Sequence, residues 1–300
     1  MNSAKLNMPT EHNQNIHMME HTQTKGLKRN TIDKFYTKPE IVDDCLKWVK
    51  KSFRIKSSEL IIEPSAGNGS FIQGIKKLGA KNSSPTCLFY DLEPENSEIE
   101  KQDYLLFEYK PLLDAHSRIH IVGNPPFGRQ SSLAIKFIKK SCEFADTVSF
   151  ILPKSFKKES MHKAFPLNFH LVKELDLPEK AFLLNDKDHK VPCVFQIWKK
   201  QTTLRKVKDK CVPTHFQFVK KEDTPDVSFR RVGGTAGKVD TNVEDKSIQS
   251  HYFIKFNDNI VCDDGLVTKL NQIEYASRLH TVGPRSISKP ELIAEFNKVV

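Results

Sequence analysis

Leu60-Ile61-Ile62-Glu63-Pro64-Ser65-Ala66-Gly67-Asn68-Gly69-Ser70-Phe71 opens on three branched or long aliphatic residues and then turns through small ones. The aliphatic run reads as a short buried strand, and Ser70 to Leu78 brings apolar residues back at helical spacing. The residues between them are therefore a strand-to-helix turn. Gly67 and Gly69 let the backbone approach a ligand at the carboxyl edge of a sheet, where open α/β folds bind cofactors. A dinucleotide fingerprint asks for another glycine three residues after Gly69, and Ile72 stands there instead, which speaks against a nicotinamide cofactor.

Outward from this turn, strands alternate with helices. Pro39 to Lys51 has helical spacing after an early proline, Thr86 to Tyr90 and Ile119 to Val122 read as strands, Ser132 to Ala145 as an amphipathic helix, and Thr147 to Leu152 as a strand. Val194 to Trp198 closes the series. The rhythm predicts an α/β fold, a Rossmann-like doubly wound and mostly parallel sheet. Asp91 ends the second strand, about 20 residues beyond the glycines, placed to accept hydrogen bonds from ribose hydroxyls, and Asp103 is a candidate for an adenine amino group.

A second stretch, Ile121-Val122-Gly123-Asn124-Pro125-Pro126-Phe127-Gly128, follows a buried strand at the same sheet edge. Two prolines fix the backbone and remove two N–H donors, so the loop offers acceptors. The Asn124 side-chain oxygen beside a main-chain carbonyl can take both protons of an exocyclic amine. Phe127 offers a face for a planar base.

Three hundred residues suggest two domains of about 150 residues each. Residues 1–30 are rich in Asn, His, Gln, Thr and Met and read as a disordered tail. Residues 31–200 form the cofactor-binding domain and 201–300 a smaller, basic C-terminal module. From Lys199 to Lys221 there are eight Lys and Arg against one acid, Asp209. Ser288 and Glu291 make a capping box for a last helix. With a mean hydropathy of −0.49, no segment approaches the roughly 18 unbroken apolar residues of a membrane helix, so a soluble protein without membrane contact is expected. Six scattered cysteines with no CxxC pair predict neither a zinc site nor any other metal centre, and place the chain in a reducing, cytoplasmic compartment. A formal charge of +10 favours a polyanionic partner.

On these residues the chain resembles S-adenosylmethionine-dependent amino-methyltransferases acting on nucleic acid, in the TaqI-like gamma arrangement. Phe35-Tyr36-Thr37-Lys38-Pro39 resembles the leading segment, Glu63 to Gly69 the methionine-binding loop, and Asn124 to Phe127 the catalytic Asn-Pro-Pro-aromatic loop. The resemblance spans about residues 33–200. It implies a class I methyltransferase fold and S-adenosyl-L-methionine as cofactor, held by Tyr36, Thr37, Glu63, Pro64, Ser65, Gly67, Gly69, Asp91, Asp103 and Asn124. It implies a catalytic role for Asn124, Pro125, Pro126 and Phe127, with Phe127 and Phe182 against the target base. Phe127 stands where many members carry Tyr, and residues 201–300 match no recognition domain of that family.

The implied activity is methyl transfer to adenine N6, in DNA ahead of RNA. Adenine N6 in RNA or cytosine N4 is the alternative, a non-catalytic nucleic-acid-binding module that keeps the fold is the third reading, and protein glutamine a distant fourth. Two competing motifs fail. Pro192-Cys193 resembles the nucleophile of cytosine-C5 methyltransferases, but Cys193 enters an apolar strand without an activating partner. Gly233 to Lys238 has glycines too closely spaced for a phosphate loop, and Val239 replaces its Ser or Thr. Lys199, Lys200, Arg205, Lys206, Lys208 and Lys210 are expected to meet phosphate, with Lys154, Lys157 and Lys158 next in line.

Overall fold

The computed structural model describes residues 35–79, 84–184, 187–207 and 209–300. The expected tail, residues 1–30, and Lys208 lie outside the described residues. Strand β1 (Tyr36–Thr37) leads into helix α1 (Pro39–Ser52), whose first turn contains the proline and whose Ile41, Val42, Cys45, Leu46 and Val49 are buried. Strand β2 (Leu60–Glu63) is wholly buried. Helix α2 (Ile72–Lys76) is shorter than the expected Ser70 to Leu78. Gly67 and Gly69 adopt φ of +54° and +88°, the Gly69 N–H donates to the Ala66 carbonyl, and Asn68 Oδ1 accepts from the Ser70 N–H. Residues 66–70 are thus held as a turn before helical bonding begins. A Cβ on Gly74 would overlap the Leu46 side chain, so that glycine lets α1 and α2 touch.

Strands β3 (Thr86–Asp91) and β4 (Glu100–Lys101), helix α3 (Lys110–Ala115), strand β5 (Ile119–Gly123), helix α4 (Ser132–Phe144) and strands β6 (Thr147–Pro153) and β7 (Phe169–Asp176) follow. A hairpin of β8 (Phe182–Leu184) and β9 (Lys187–His189) precedes β10 (Cys193–Lys200). Seven strands build one sheet in the order β4-β3-β2-β5-β6-β10-β7. Neighbours from β4 to β6 are parallel, and β10 runs antiparallel to both β6 and β7. Counted from β2, this is the doubly wound order 3-2-1-4-5-6 with one reversed strand inserted before the last. The fold is the Rossmann-like α/β class expected, and its strand order reverses between β2 and β5. Open α/β sheets bind ligands in the crevice outside the carboxyl ends at such a reversal. The turn after Glu63 and the loop after Gly123 both leave the sheet there.

Beyond β10, strands β11 (Phe216–Val219), β12 (Val227–Arg230), β13 (Val239–Asp240) and β14 (His251–Phe256) form a second sheet, β11-β14-β12-β13, wholly antiparallel. Phe216, Val227, Phe229, Ile254 and Phe256 meet Leu270 of helix α5 (Asp264–Asn271) and Leu292, Ile293 and Phe296 of helix α6 (Lys289–Val299) in a hydrophobic core separate from that of the large sheet. Ser288 and Glu291 form the expected capping box on α6. Among the described residues no helix is long and apolar enough to cross a membrane.

Candidate active site

Three loops and the leading strand converge at the reversal. Asn124, the first residue after β5, donates from Nδ2 to the Phe35 carbonyl and to the Thr37 hydroxyl, both at 3.3 Å. Because the Phe35 carbonyl can only accept, the amide turns its nitrogen toward the leading strand and its oxygen away from it. That oxygen, Oδ1, is buried and meets no hydrogen-bond partner. Ser65 Oγ donates to the Asn124 main-chain carbonyl at 3.1 Å, which ties the glycine turn to the Asn-Pro-Pro loop. The leading strand is itself fixed by β8, with Tyr36 opposite Leu183 and Thr37 opposite Phe182.

The glycine turn is internally bonded. Gly67 N–H donates to Asp91 Oδ2 at 2.8 Å, the Gly67 carbonyl accepts from Glu95 N–H at 3.0 Å, and the Tyr36 ring stands 3.5 Å from where a Gly67 Cβ would be. Tyr36 Oη donates to Glu95 at 2.7 Å. Dinucleotide sites leave such amides free for pyrophosphate; here they are occupied by Asp91 and by the turn itself, which suits a ligand without phosphate. Asp91 also accepts from the Glu93 N–H at 2.9 Å. Its oxygens retain further lone pairs for a hydroxyl donor. Asp103 caps the short turn Tyr104–Leu106, accepting from Leu105 N–H at 2.9 Å, and the neighbouring Gln102 N–H donates to the Asp91 carbonyl, so the two acids share one edge.

Glu63 is 1% exposed, and its Oε2 lacks a partner. Burial, followed by the nearby Asp91 charge, holds its carboxyl well above the usual range. Gly123 leaves room for it: a Cβ there would come within 3.2 Å of Glu63 Cγ. Pro64 is buried beside it. Two unsatisfied buried oxygens, Glu63 Oε2 and Asn124 Oδ1, thus lie on adjacent strand ends. Buried oxygens of this kind ordinarily have partners, and here they fit a ligand that brings donors such as an amine.

The two aromatic residues expected against the target base, Phe127 and Phe182, are both buried. Phe127 is 8% exposed, part of the core, and its carbonyl accepts from Leu133 and Ala134 N–H at the start of α4. Phe182 is fully buried beside Phe35, ring centroids 6.4 Å apart. Neither ring offers an open face to a base in this conformation, because the leading strand covers one and α4 draws in the other. The half-buried stack at this edge is Phe35 on His189, 4.7 Å apart and nearly coplanar. His189 carried no signal in the sequence; only the β8–β9 hairpin brings it there. Pro125 is buried and Pro126 half-buried.

Both rejected motifs are structural. Cys193 is buried in β10 with its thiol pKa pushed up by desolvation, which disfavours the thiolate. Gly233 to Lys238 is the connection between β12 and β13, with φ of +107° at Gly233 and +109° at Gly237. Among the described residues no cluster of three or more His, Cys, Asp or Glu is placed to hold a metal ion.

Residues 54–212, more than half of the chain, match the model of the EDM2 methyltransferase-like domain. The chain belongs to that family. The match takes in the glycine turn, Asp91, Asp103, the Asn-Pro-Pro loop and β10. The Arabidopsis thaliana protein ENHANCED DOWNY MILDEW 2 is 27% identical over 134 residues, which are 42% of this chain and 10% of that protein; the chain thus spans about a tenth of its curated relative. Among solved structures, PH1948 from Pyrococcus horikoshii overlaps with a TM-score of 0.43 at 19% identity, over 59% of this chain and 92% of that one. A type I restriction-modification methyltransferase subunit from Streptococcus thermophilus overlaps with a TM-score of 0.42 at 15% identity, over 56% and 45%. Overlaps this loose carry no argument about chemistry. The methyltransferase family implies S-adenosyl-L-methionine as the cofactor.

Proposed function

We propose that the chain transfers a methyl group from S-adenosyl-L-methionine to an exocyclic amine of a nucleic-acid base, adenine N6 in DNA first, through an Asn-Pro-Pro-Phe loop in the TaqI-like order. One observation carries the reading: Asn124 is clamped by its nitrogen, and its oxygen is left buried and unpartnered at the carboxyl edge.

The cofactor supplies an electrophilic methyl group on a sulfonium, and the residues to hold it are Glu63, Pro64, Ser65, Gly67, Gly69, Asp91 and Asp103, with Tyr36 over the turn. Thr37, expected among them, acts in this reading by orienting Asn124. The amine lone pair of adenine is delocalised into its ring. Acceptors at Asn124 Oδ1 and the Pro125 carbonyl bond its two protons, favour the pyramidal form and stabilise the positive charge that develops on nitrogen. Because the Asn124 amide is already fixed by the Phe35 carbonyl and Thr37 Oγ1, it reorganises little during the reaction. A base in a duplex must be flipped out to reach this edge. Phe127 and Phe182 support the pocket walls from beneath, while Phe35 and His189 offer the stacking face.

The test offers labelled S-adenosylmethionine with DNA, RNA and protein pools, then identifies the methylated species by mass spectrometry after digestion. N6-methyladenine in the DNA pool is the expected product. Label in protein glutamine alone, or in none of the pools, overturns the reading. Asn124→Ala should abolish transfer while calorimetric affinity for the cofactor stays nearly constant; parallel loss of both would make Asn124 structural.

A further inference from the structure

Lys199 and Lys200, where the basic run begins, lie at the wrong end of the sheet for a strand held at Asn124. β10 is reversed, so Lys199 pairs with Thr147 at the beginning of β6, at the edge opposite Gly123 and Asn124. Arg205 is spent on the protein itself: its guanidinium donates to the carbonyls of His162, Phe165 and Phe169 and lies over Trp198. Lys154, Lys157 and Lys158 do stand at the carboxyl edge, beyond β6, but they are paired. Lys157 meets Asp176 at 2.7 Å and Glu174 at 3.7 Å, Lys154 meets Asp176 at 3.7 Å, and Lys158 meets Glu291 at 3.5 Å.

Lys158 also donates to the Ser286 carbonyl at 3.0 Å, which brings residues 285–289 of the second module to the carboxyl edge. Backbone bonds gather cations around that segment. Gly233 N–H donates to the Arg285 carbonyl and Ile287 N–H to the Arg231 carbonyl, both at 2.9 Å, while Ser286 N–H donates to the Arg278 carbonyl at 3.3 Å. Lys289 follows at the start of α6. Arg231, like Arg205, is spent on the protein: its Nε and Nη2 donate to the Gln249 carbonyl and it lies 5.6 Å from the Tyr252 ring, whereas Lys289 lies 5.6 Å from Tyr252 and 4.3 Å from Phe218. Among the described residues, Arg231, Arg278, Arg285 and Lys289 form no ion pair, and the adjoining acid, Glu291, is taken by Lys158 and by the Ser288 N–H. Arg278, Arg285 and Lys289, unneutralised and brought together along the backbone, repel one another. Together with two partly exposed rings they match a strand of phosphates and unpaired bases.

We propose that Arg278, Arg285 and Lys289, with Tyr252 and Phe218, form the track that holds the phosphodiester backbone of the nucleic-acid strand whose base reaches Asn124. The assignment rests on the reading of the site as a nucleic-acid methyltransferase.

The full chain is titrated by fluorescence anisotropy with a labelled 30-nucleotide single strand of mixed sequence, as DNA and as RNA, across potassium chloride concentrations. In Arg278→Gln/Arg285→Gln/Lys289→Gln, the slope of log affinity against log salt should fall by about two units, at roughly 0.7 per lost single-strand contact. Lys199→Gln/Lys200→Gln should leave it unchanged. Arg285→Gln alone, at an exposed position, should remove about 0.7 units and guards against a folding defect in the triple variant. Cofactor affinity by calorimetry should be the same in all. An unchanged slope in the Arg278, Arg285 and Lys289 variant, or an equal loss in the Lys199 and Lys200 variant, overturns the track. Methyl transfer to nucleic acid with an unchanged slope would remove the track and keep the activity. A track-dependent slope without transfer would keep the track and remove the activity.

Discussion

At the scale of single residues, the site is organised by what is satisfied and what is not. Thr37 Oγ1 is one of two acceptors that aim the Asn124 amide. Thr37→Val keeps the shape and removes the acceptor, so the amide gains freedom to rotate; turnover should fall about tenfold, the equivalent of roughly 1.4 kcal/mol for one lost neutral bond, with cofactor affinity held. Thr37→Ser should restore it. A Ser variant as poor as Val would assign Thr37 to packing. Glu63 sets a pH dependence whose sign follows from its raised pKa. Below its ordinary value of 4.5 both folded and unfolded chains carry the proton, and stability is complete with respect to this group. As pH rises, the unfolded carboxyl ionises while the buried one resists, so stability is lost until the folded pKa is passed. Glu63→Gln removes that loss. In urea melts, the stability of the variant relative to the native chain should therefore rise as the pH increases above 4.5; a difference independent of pH would contradict the raised pKa of the buried carboxyl.

Among the elements, those whose burial pattern is local could be read directly. The aliphatic runs of β2, β5 and β6 and the amphipathic periods of α1 and α4 emerge within a residue or two of expectation. β7 is different: Phe169–Asp176 has one fully buried residue at its start and mostly half-buried ones after it, because it is an edge strand, and its His, Lys, Glu and Asp masked it. The β8–β9 hairpin was illegible for a related reason. Its three-residue strands pair with β1 and with each other, and their register is a tertiary fact. Phe182 was visible as an aromatic ahead of a closing strand, but whether it shows a face or lies beneath Phe35 depends on β1 covering it. The shortened α2 shows the reverse failure, a helical period overruled by two glycines and an Asn turn.

For the whole molecule, the separation into two cores governs what a lesion in one does to the other. The core around Phe229 and Phe296 is distinct from the one beneath the large sheet, and the ring of Phe296 lies 5.8 Å from that of Phe229 and 5.4 Å from that of Phe216. Contacts across the carboxyl edge are polar: the Lys158 bond to Ser286 and its pair with Glu291. The pair is largely buried, its side chains 12% and 22% exposed, but it joins the two cores without a shared apolar cluster. Phe296→Ala removes a fully buried ring and should cost about 3–5 kcal/mol, most of it within the second core. Scanning calorimetry should then show a transition that melts ahead of the rest, while the remaining transition stays near its native temperature and still rises on adding S-adenosylmethionine. The same variant should lose the steep salt dependence of nucleic-acid binding at temperatures between the two transitions, because Arg278, Arg285 and Lys289 are placed by the backbone around the second core. If Phe296→Ala instead lowers one common transition and abolishes cofactor binding with it, the two cores fold as a single cooperative unit. The polar contacts at Lys158 would then couple the two cores.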